Sequence, residues 1–262
     1  MKHRLMCILF VALVATPGRA AGLDIASGPL LHRLPLHAAA VDHMNFMMYI
    51  PTGVNAPHDG FPLILFLHGS EQRGDDPSLL VNLPILSFAQ KVDGFPFVTI
   101  VPQCPRGLLW SPDMLRQLLA AVEELTPVDK DRLYLTGFSM GGYGTWQTAA
   151  ALPGVFAAIA PLCALSDLPD TPRLADVPIW AFHGARDANV PVSESQRMVG
   201  ALREEGNQAR LTVYPDLAHD CWTMTYNDSR LYLWFLSHSL SDPLHNEESH
   251  GYMWVRAARD PL

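Results

Sequence analysis

Six short runs in this chain are apolar almost without interruption: FPLILFLH (61–68), FPFVTIVP (95–102), RLYLTGF (132–138), VFAAIAPL (155–162), VPIWAFH (177–183) and ARLTVY (209–214). A strand with one wet face alternates apolar with polar residues, so runs that do not alternate need cover on both faces. Helical patterns lie between these runs, and that alternation specifies an α/β protein with a mostly parallel central sheet and helices on both faces. Segments 34–39 and 45–50 add candidate antiparallel edge strands. No internal repeat or low-complexity linker interrupts residues 21–240, which read as one domain, and residues 241–262 read as a more polar C-terminal extension.

Boundary signals place the helices. Ser111 opens SPDMLRQLLAAVEELT with Pro112 at the first helical position, and Met114, Leu115, Leu118, Leu119 and Val122 share one face. Ser193 and Gln196 have the spacing of a capping box ahead of a helix that stops at Gly206. A further helix is expected in SRLYLWFLSHSL.

Residues 1–20 read as a secretory signal peptide: Lys2 and Arg4 precede an apolar run of eleven residues, and Gly18 and Ala20 are small residues suited to cleavage before Ala21. The run is short for a membrane span, which needs roughly 20 residues, although an uncleaved anchor is the alternative. Export to the periplasm or the medium is expected, with no stable membrane insertion after cleavage. Removing Lys2, Arg4 and Arg19 takes the formal charge from −8 to −11, and no Lys/Arg cluster marks a nucleic-acid surface. Cys104, Cys163 and Cys221 remain in the mature chain, an odd number compatible with one disulfide or with three buried thiols.

The stretch LYLTGFSMGGYGTW contains Gly137-Phe138-Ser139-Met140-Gly141 between a strand and a helix. A G-x-S-x-G turn in that setting lifts the serine above the sheet and aims the helix N-terminus at developing negative charge. A serine hydroxyl needs a base, and the base needs an orienting acid. Asp187 follows the strand VPIWAFH, and His219 follows the next strand, so Ser139, Asp187 and His219 run in the Ser, acid, His order of the α/β-hydrolase fold. Asp216 and Asp220 compete for the acid role but lie close to His219 in sequence. His68 and His183, at strand ends, read as structural or pocket-lining. Two backbone N–H groups are needed for an oxyanion, and the candidates are Met140, after the nucleophile, and Ser70, or Glu71 in second place, after LILFLHG.

LFLHGSEQRGDD, VPQCP followed by Trp110, DRLYLTGFSMGGYGTW, FAAIAPLCA, IWAFHGARDANVPV and AHDCWTMTY together resemble secreted carboxylesterases of the α/β-hydrolase superfamily, often labelled predicted peptidases and related to phospholipase/carboxylesterase and polyhydroxybutyrate-depolymerase-like proteins. The resemblance implies a Ser139, Asp187, His219 triad, an oxyanion loop at Ser70, and hydrolysis of small or carbohydrate-linked acyl esters. Dienelactone hydrolases are a more distant resemblance, since they use a cysteine where this chain has Ser139. Cys221 stands where such families often have a small residue.

No metal or organic cofactor is expected, because the cysteines lack zinc-site spacing. Gln103, Trp110 and Trp222 are candidate substrate-binding residues, with core packing the alternative for the tryptophans. Arg73 is a candidate partner for an anionic substrate or for Asp75 or Asp76. No large apolar insertion between the runs suggests a lid, which favours short-acyl esters. A peptidase using the same triad and an inactive binding protein of the same fold are the competing functions; a missing gating domain weighs against the first, and the presence of all three triad candidates against the second.

Overall fold

The computed structural model describes residues 30–38 and 41–241. The expected signal peptide (1–20) lies outside the described residues, as does the C-terminal extension beyond Ser241. Eight strands form one sheet: β1 (Leu30–Ala38), β2 (Val41–Tyr49), β3 (Phe61–Leu67), β4 (Val98–Pro102), β5 (Val128–Phe138), β6 (Ala158–Leu162), β7 (Trp180–Gly184) and β8 (Arg210–Tyr214). Their order across the sheet is β1-β2-β4-β3-β5-β6-β7-β8. The first two strands run antiparallel to their neighbours, and the six apolar runs pair in parallel.

Six helices accompany them: α1 (Pro84–Lys91), α2 (Pro112–Leu125), α3 (Met140–Ala151), α4 (Ser193–Glu204), α5 (Trp222–Tyr226) and α6 (Ser229–Leu236). In β3, Leu63, Leu65 and Leu67 face a core shared with α2, α3 and α4, whereas Ile64 and Phe66 face a second core shared with α1, α5 and α6. All five side chains are buried, and each contributes roughly 1.5–3 kcal/mol relative to exposure. Continuous apolarity in the sequence is therefore two alternating faces, both covered.

β5 exceeds its apolar run by residues that are mostly polar. β5 begins at Val128, four residues before the expected start, and Lys130 and Asp131 are exposed there. β1 carries Pro35, which an edge strand tolerates because the missing N–H need not face a partner.

The α2 expectation matches its five buried residues. The Ser193 capping box does not form. Backbone N–H groups of Glu194 and Gln196 already bond to Pro191 O and Val192 O, so the chain winds before Ser193, which is the first helical residue and makes no capping bond.

Candidate active site

Ser139 sits between β5 and α3 at φ 54° and ψ −118°, a conformation that costs a non-glycine residue on the order of 1–3 kcal/mol. Two backbone bonds hold it: Ser139 N donates to Leu162 O (3.0 Å), and Tyr143 N donates to Ser139 O (3.0 Å). The turn is possible because the residues two before and two after Ser139, Gly137 and Gly141, have no side chains. A Cβ on Gly141 would lie 1.9 Å from Leu67 O, so only glycine lets α3 start this close to the end of β3. Ser139 Oγ is thereby presented, half-buried, at the carboxyl edge of the sheet.

Asp187 follows β7 and His219 follows β8, and both point back toward that serine. His219 Nε2 is 3.0 Å from Ser139 Oγ, and His219 Nδ1 is 2.6 Å from Asp187 Oδ2. Asp187 is held from behind by the N–H groups of Asn189 and Val190, both 2.9 Å from Oδ1. Burial pushes its carboxyl up, but the bond from His219 and those two backbone donors together outweigh burial and leave it below the usual carboxylate range. A second glycine brings the acid and base loops together: a Cβ on Gly184 would lie 2.0 Å from Ala218 O. The competing acids are engaged elsewhere. Asp216 pairs with Arg186 at 2.6 Å, and Asp220 bonds to Thr223 N and Oγ1, each at 2.9 Å.

The loop after β3 enters a short 3-10 turn at Ser70–Gln72. Leu67 and Gly137 are register partners in adjacent parallel strands, so Ser70 and Met140 each lie three residues past a matched pair. Both open a helical turn, where the first N–H groups have no intrahelical acceptor. The same is true of Glu71. His68 anchors this loop: its Nδ1 donates to Gly69 O (2.6 Å) and its Nε2 accepts from Cys104 N (3.0 Å). Burial pushes the His68 pKa down to about 4, so the ring stays neutral and keeps that tautomer.

Two expected substrate-binding residues belong to the scaffold instead. Gln103 is buried, and its Nε2 donates to Gln72 O (2.9 Å) and Asp76 O (2.7 Å). Trp110 is buried, donates from Nε1 to His68 O (3.1 Å), and packs where Gly144 leaves no Cβ. Gln103 follows β4 and Trp110 precedes α2, and the side-chain N–H groups of both are spent on holding the loop. Arg73 likewise donates to the carbonyls of Ser70 (3.1 Å) and Leu108 (3.2 Å). Asp75 is bonded to Asn45, and Asp76 to Ser78 N. Trp222 differs: half-buried, it stacks on Phe138 with centroids 4.3 Å apart and meets His219 edge-on at 5.3 Å.

The three cysteines among the described residues, Cys104, Cys163 and Cys221, are free and buried. Cys163 N and Cys221 Sγ both donate to Phe182 O, at 2.9 Å and 3.9 Å, and burial pushes the Cys163 thiol well up, with Cys221 beside it adding to the effect. Two thiols far apart in sequence thus meet beside Asp187. Ligand atoms of Cys163, Asp187 and His219 lie within 4.8 Å of one another, the single set of metal-ligating type among the described residues. Asp187 and His219 bond to each other within it. No helix among the described residues is long and apolar enough to cross a membrane.

A mostly parallel sheet with antiparallel edge strands, helices on both faces, and a serine, an acid and a histidine on successive carboxyl-edge loops is the α/β-hydrolase fold. Residues 109–229 match the dienelactone hydrolase family, the relationship that the motifs ranked as more distant. The chain is 27% identical over 238 residues to a poly(3-hydroxyoctanoate) depolymerase of Pseudomonas fluorescens, covering 78% of this chain and 83% of that one. It is 26% identical over 194 residues to a bifunctional acetylxylan esterase/xylanase of Neocallimastix patriciarum, covering 71% of this chain but only 27% of the longer protein. Among solved structures, a thermostable esterase superimposes with a TM-score of 0.71 at 31% identity, over 80% of this chain and 63% of that one. The chain is a hydrolase of this esterase group.

Proposed function

We propose that the chain is an exported serine esterase that cleaves short-acyl or carbohydrate-linked carboxylic esters through Ser139, His219 and Asp187. The observation that carries this reading is the unbroken hydrogen-bonded series from Ser139 Oγ through His219 (3.0 Å) to Asp187 (2.6 Å).

His219 Nε2 takes the Ser139 proton as Oγ attacks the ester carbonyl. Asp187 keeps the Nδ1–H tautomer and stabilises the imidazolium that forms. The N–H groups of Met140 and Ser70 face the tetrahedral oxyanion, a contribution that typically amounts to a few kcal/mol for each donor. His219 then protonates the leaving alcohol, and water repeats the sequence on the acyl-enzyme. Trp222, lying against both Phe138 and His219, forms an aromatic wall for the acyl or alcohol group.

Ester rather than amide substrates are supported by the names of the depolymerase and the acetylxylan esterase. Export is supported by the apolar run and small residues of segment 1–20.

The test is intact mass after fluorophosphonate treatment, alongside p-nitrophenyl acetate turnover, for wild type and Ser139→Ala. A single adduct and turnover that both vanish in the variant, with kcat down by at least about 10⁴-fold, is the expected result. A folded wild type that neither labels nor turns over ester overturns the reading.

A further inference from the structure

His183, the next-to-last residue of β7, has no part in the mechanism above and is fully buried. Its Nε2 lies 2.9 Å from Val190 O and 3.3 Å from Asp187 Oδ2. Both neighbours are acceptors, so Nε2 carries the hydrogen. Nδ1, 2.7 Å from Ser195 Oγ in the first turn of α4, then accepts the serine hydroxyl. Val190 closes a ring, since its N–H donates to Asp187 Oδ1 while its carbonyl accepts from His183.

We infer that His183 is the positioning residue of the acid: its Nε2–H donates to Val190 O and so clamps the 187–190 loop, with the ring edge 3.3 Å from the Asp187 Oδ2 that accepts from His219. This role rests on the serine-esterase reading. Asp187 is faced by His219 from the loop after β8, by His183 from β7, and by the thiol of Cys163 from the end of β6. Of these, His219 bonds to Oδ2, and the N–H edge of the His183 ring lies 3.3 Å from the same oxygen while its hydrogen goes to Val190 O. Val190 N–H in turn holds Oδ1, so the carboxylate is fixed through the Val190 clamp. Removing His183 frees the Val190 carbonyl and takes a partial positive charge from beside Oδ2. The imidazolium form of His219 is then favoured, while the carboxylate gains freedom to leave the aligned position.

His183→Leu removes the donor with little loss of volume, and His183→Gln returns an N–H to roughly the place of Nε2. For His183→Leu we expect kcat on p-nitrophenyl acetate to fall about tenfold or more, KM to stay within about twofold, and the acid limb of kcat/KM to move to higher pH. For His183→Gln we expect much of the kcat and the original limb to return. A folded His183→Leu with wild-type kcat and an unmoved limb overturns the assignment. So does a glutamine variant as impaired as the leucine one with the limb unmoved, because packing then explains the loss.

Wild-type protein with ¹⁵N-labelled histidine provides a second test that needs no variant to fold. We expect the ring hydrogen of His183 on Nε2, bonded to Val190 O, and an Nδ1–H tautomer overturns the proposal. Fluorophosphonate labelling of the same wild type separates the two readings, because a protein that shows the Nε2–H tautomer but does not label has lost the esterase mechanism and not the hydrogen bond.

Discussion

Around Ser139 the chain is held by backbone meeting backbone, whereas around Asp187 and His219 it is held by side chains bonding to loops. On the first side, glycines at 137 and 141 let the start of α3 press against the end of β3, and the serine's strained backbone is caught between Leu162 O and Tyr143 N. On the second side, Asp187 takes two backbone N–H bonds and one from His219, in loops whose outer residues are exposed. A site held by steric closeness fails as a whole when one atom is added. A site held by hydrogen bonds loosens by degrees.

Four substitutions or measurements test that difference, in decreasing order of expected effect. Gly141→Ala places a Cβ 1.9 Å from Leu67 O between two buried segments that cannot retreat. Loss of about 3 kcal/mol or more of stability, with loss of activity in step, is expected from denaturant titration and ester assay.

Gly184→Ala also meets backbone, at Ala218 O, but residue 218 is exposed and its loop can shift. There kcat should fall about 10²-fold, through displacement of His219, while stability falls by only about 1 kcal/mol. Equal stability losses in the two glycine variants would break the comparison.

Asp187→Asn sharpens it through pH. The folded carboxyl is depressed, so the stability contributed by its ionised form is present above the ordinary aspartate value near 3.9 and is lost as pH falls through the folded value. The wild type should melt a few °C above the variant at about pH 7, and the gap should close as the pH drops below about 4. A gap unchanged by acid would mean that the carboxylate is not held as described.

The smallest effect concerns the thiols. Cys104, Cys163 and Cys221 are buried, and burial pushes Cys104 up to about 12. None should react with iodoacetamide at neutral pH until the chain unfolds. Reaction of Cys163 or Cys221 in the native state would show that the acid side opens.

The Ser139 side was also the more legible in sequence. Glycine has a letter of its own, and Gly137 and Gly141 flank Ser139 in a spacing that prescribes the turn. Apolar runs prescribed the sheet because burial on both faces removes alternation, and the edge strands were shorter in expectation because residues such as Arg33 and Asp42 carry no apolar signal. The supporting residues of the acid side were not legible. His183 is one histidine among eleven, and only the fold sets it against Asp187. Ser195 and Val190 reach it from a helix and a loop that no spacing joins. Gln103 and Trp110 show the converse: polar and aromatic residues near strand ends suggested a pocket, but the structure spends their N–H groups on loop carbonyls. Ser193 had the right spacing for a cap, but two backbone bonds had already wound the helix.

Trp222 gives the molecule an optical property that follows from where it sits. An indole in edge contact with an imidazole is quenched when that imidazole gains a proton, and this one also leans on the phenylalanine that precedes the nucleophile. On the mechanism proposed above, the charge state of His219 should therefore modulate the light emitted by Trp222, and the proton's passage would be written into fluorescence without any added dye.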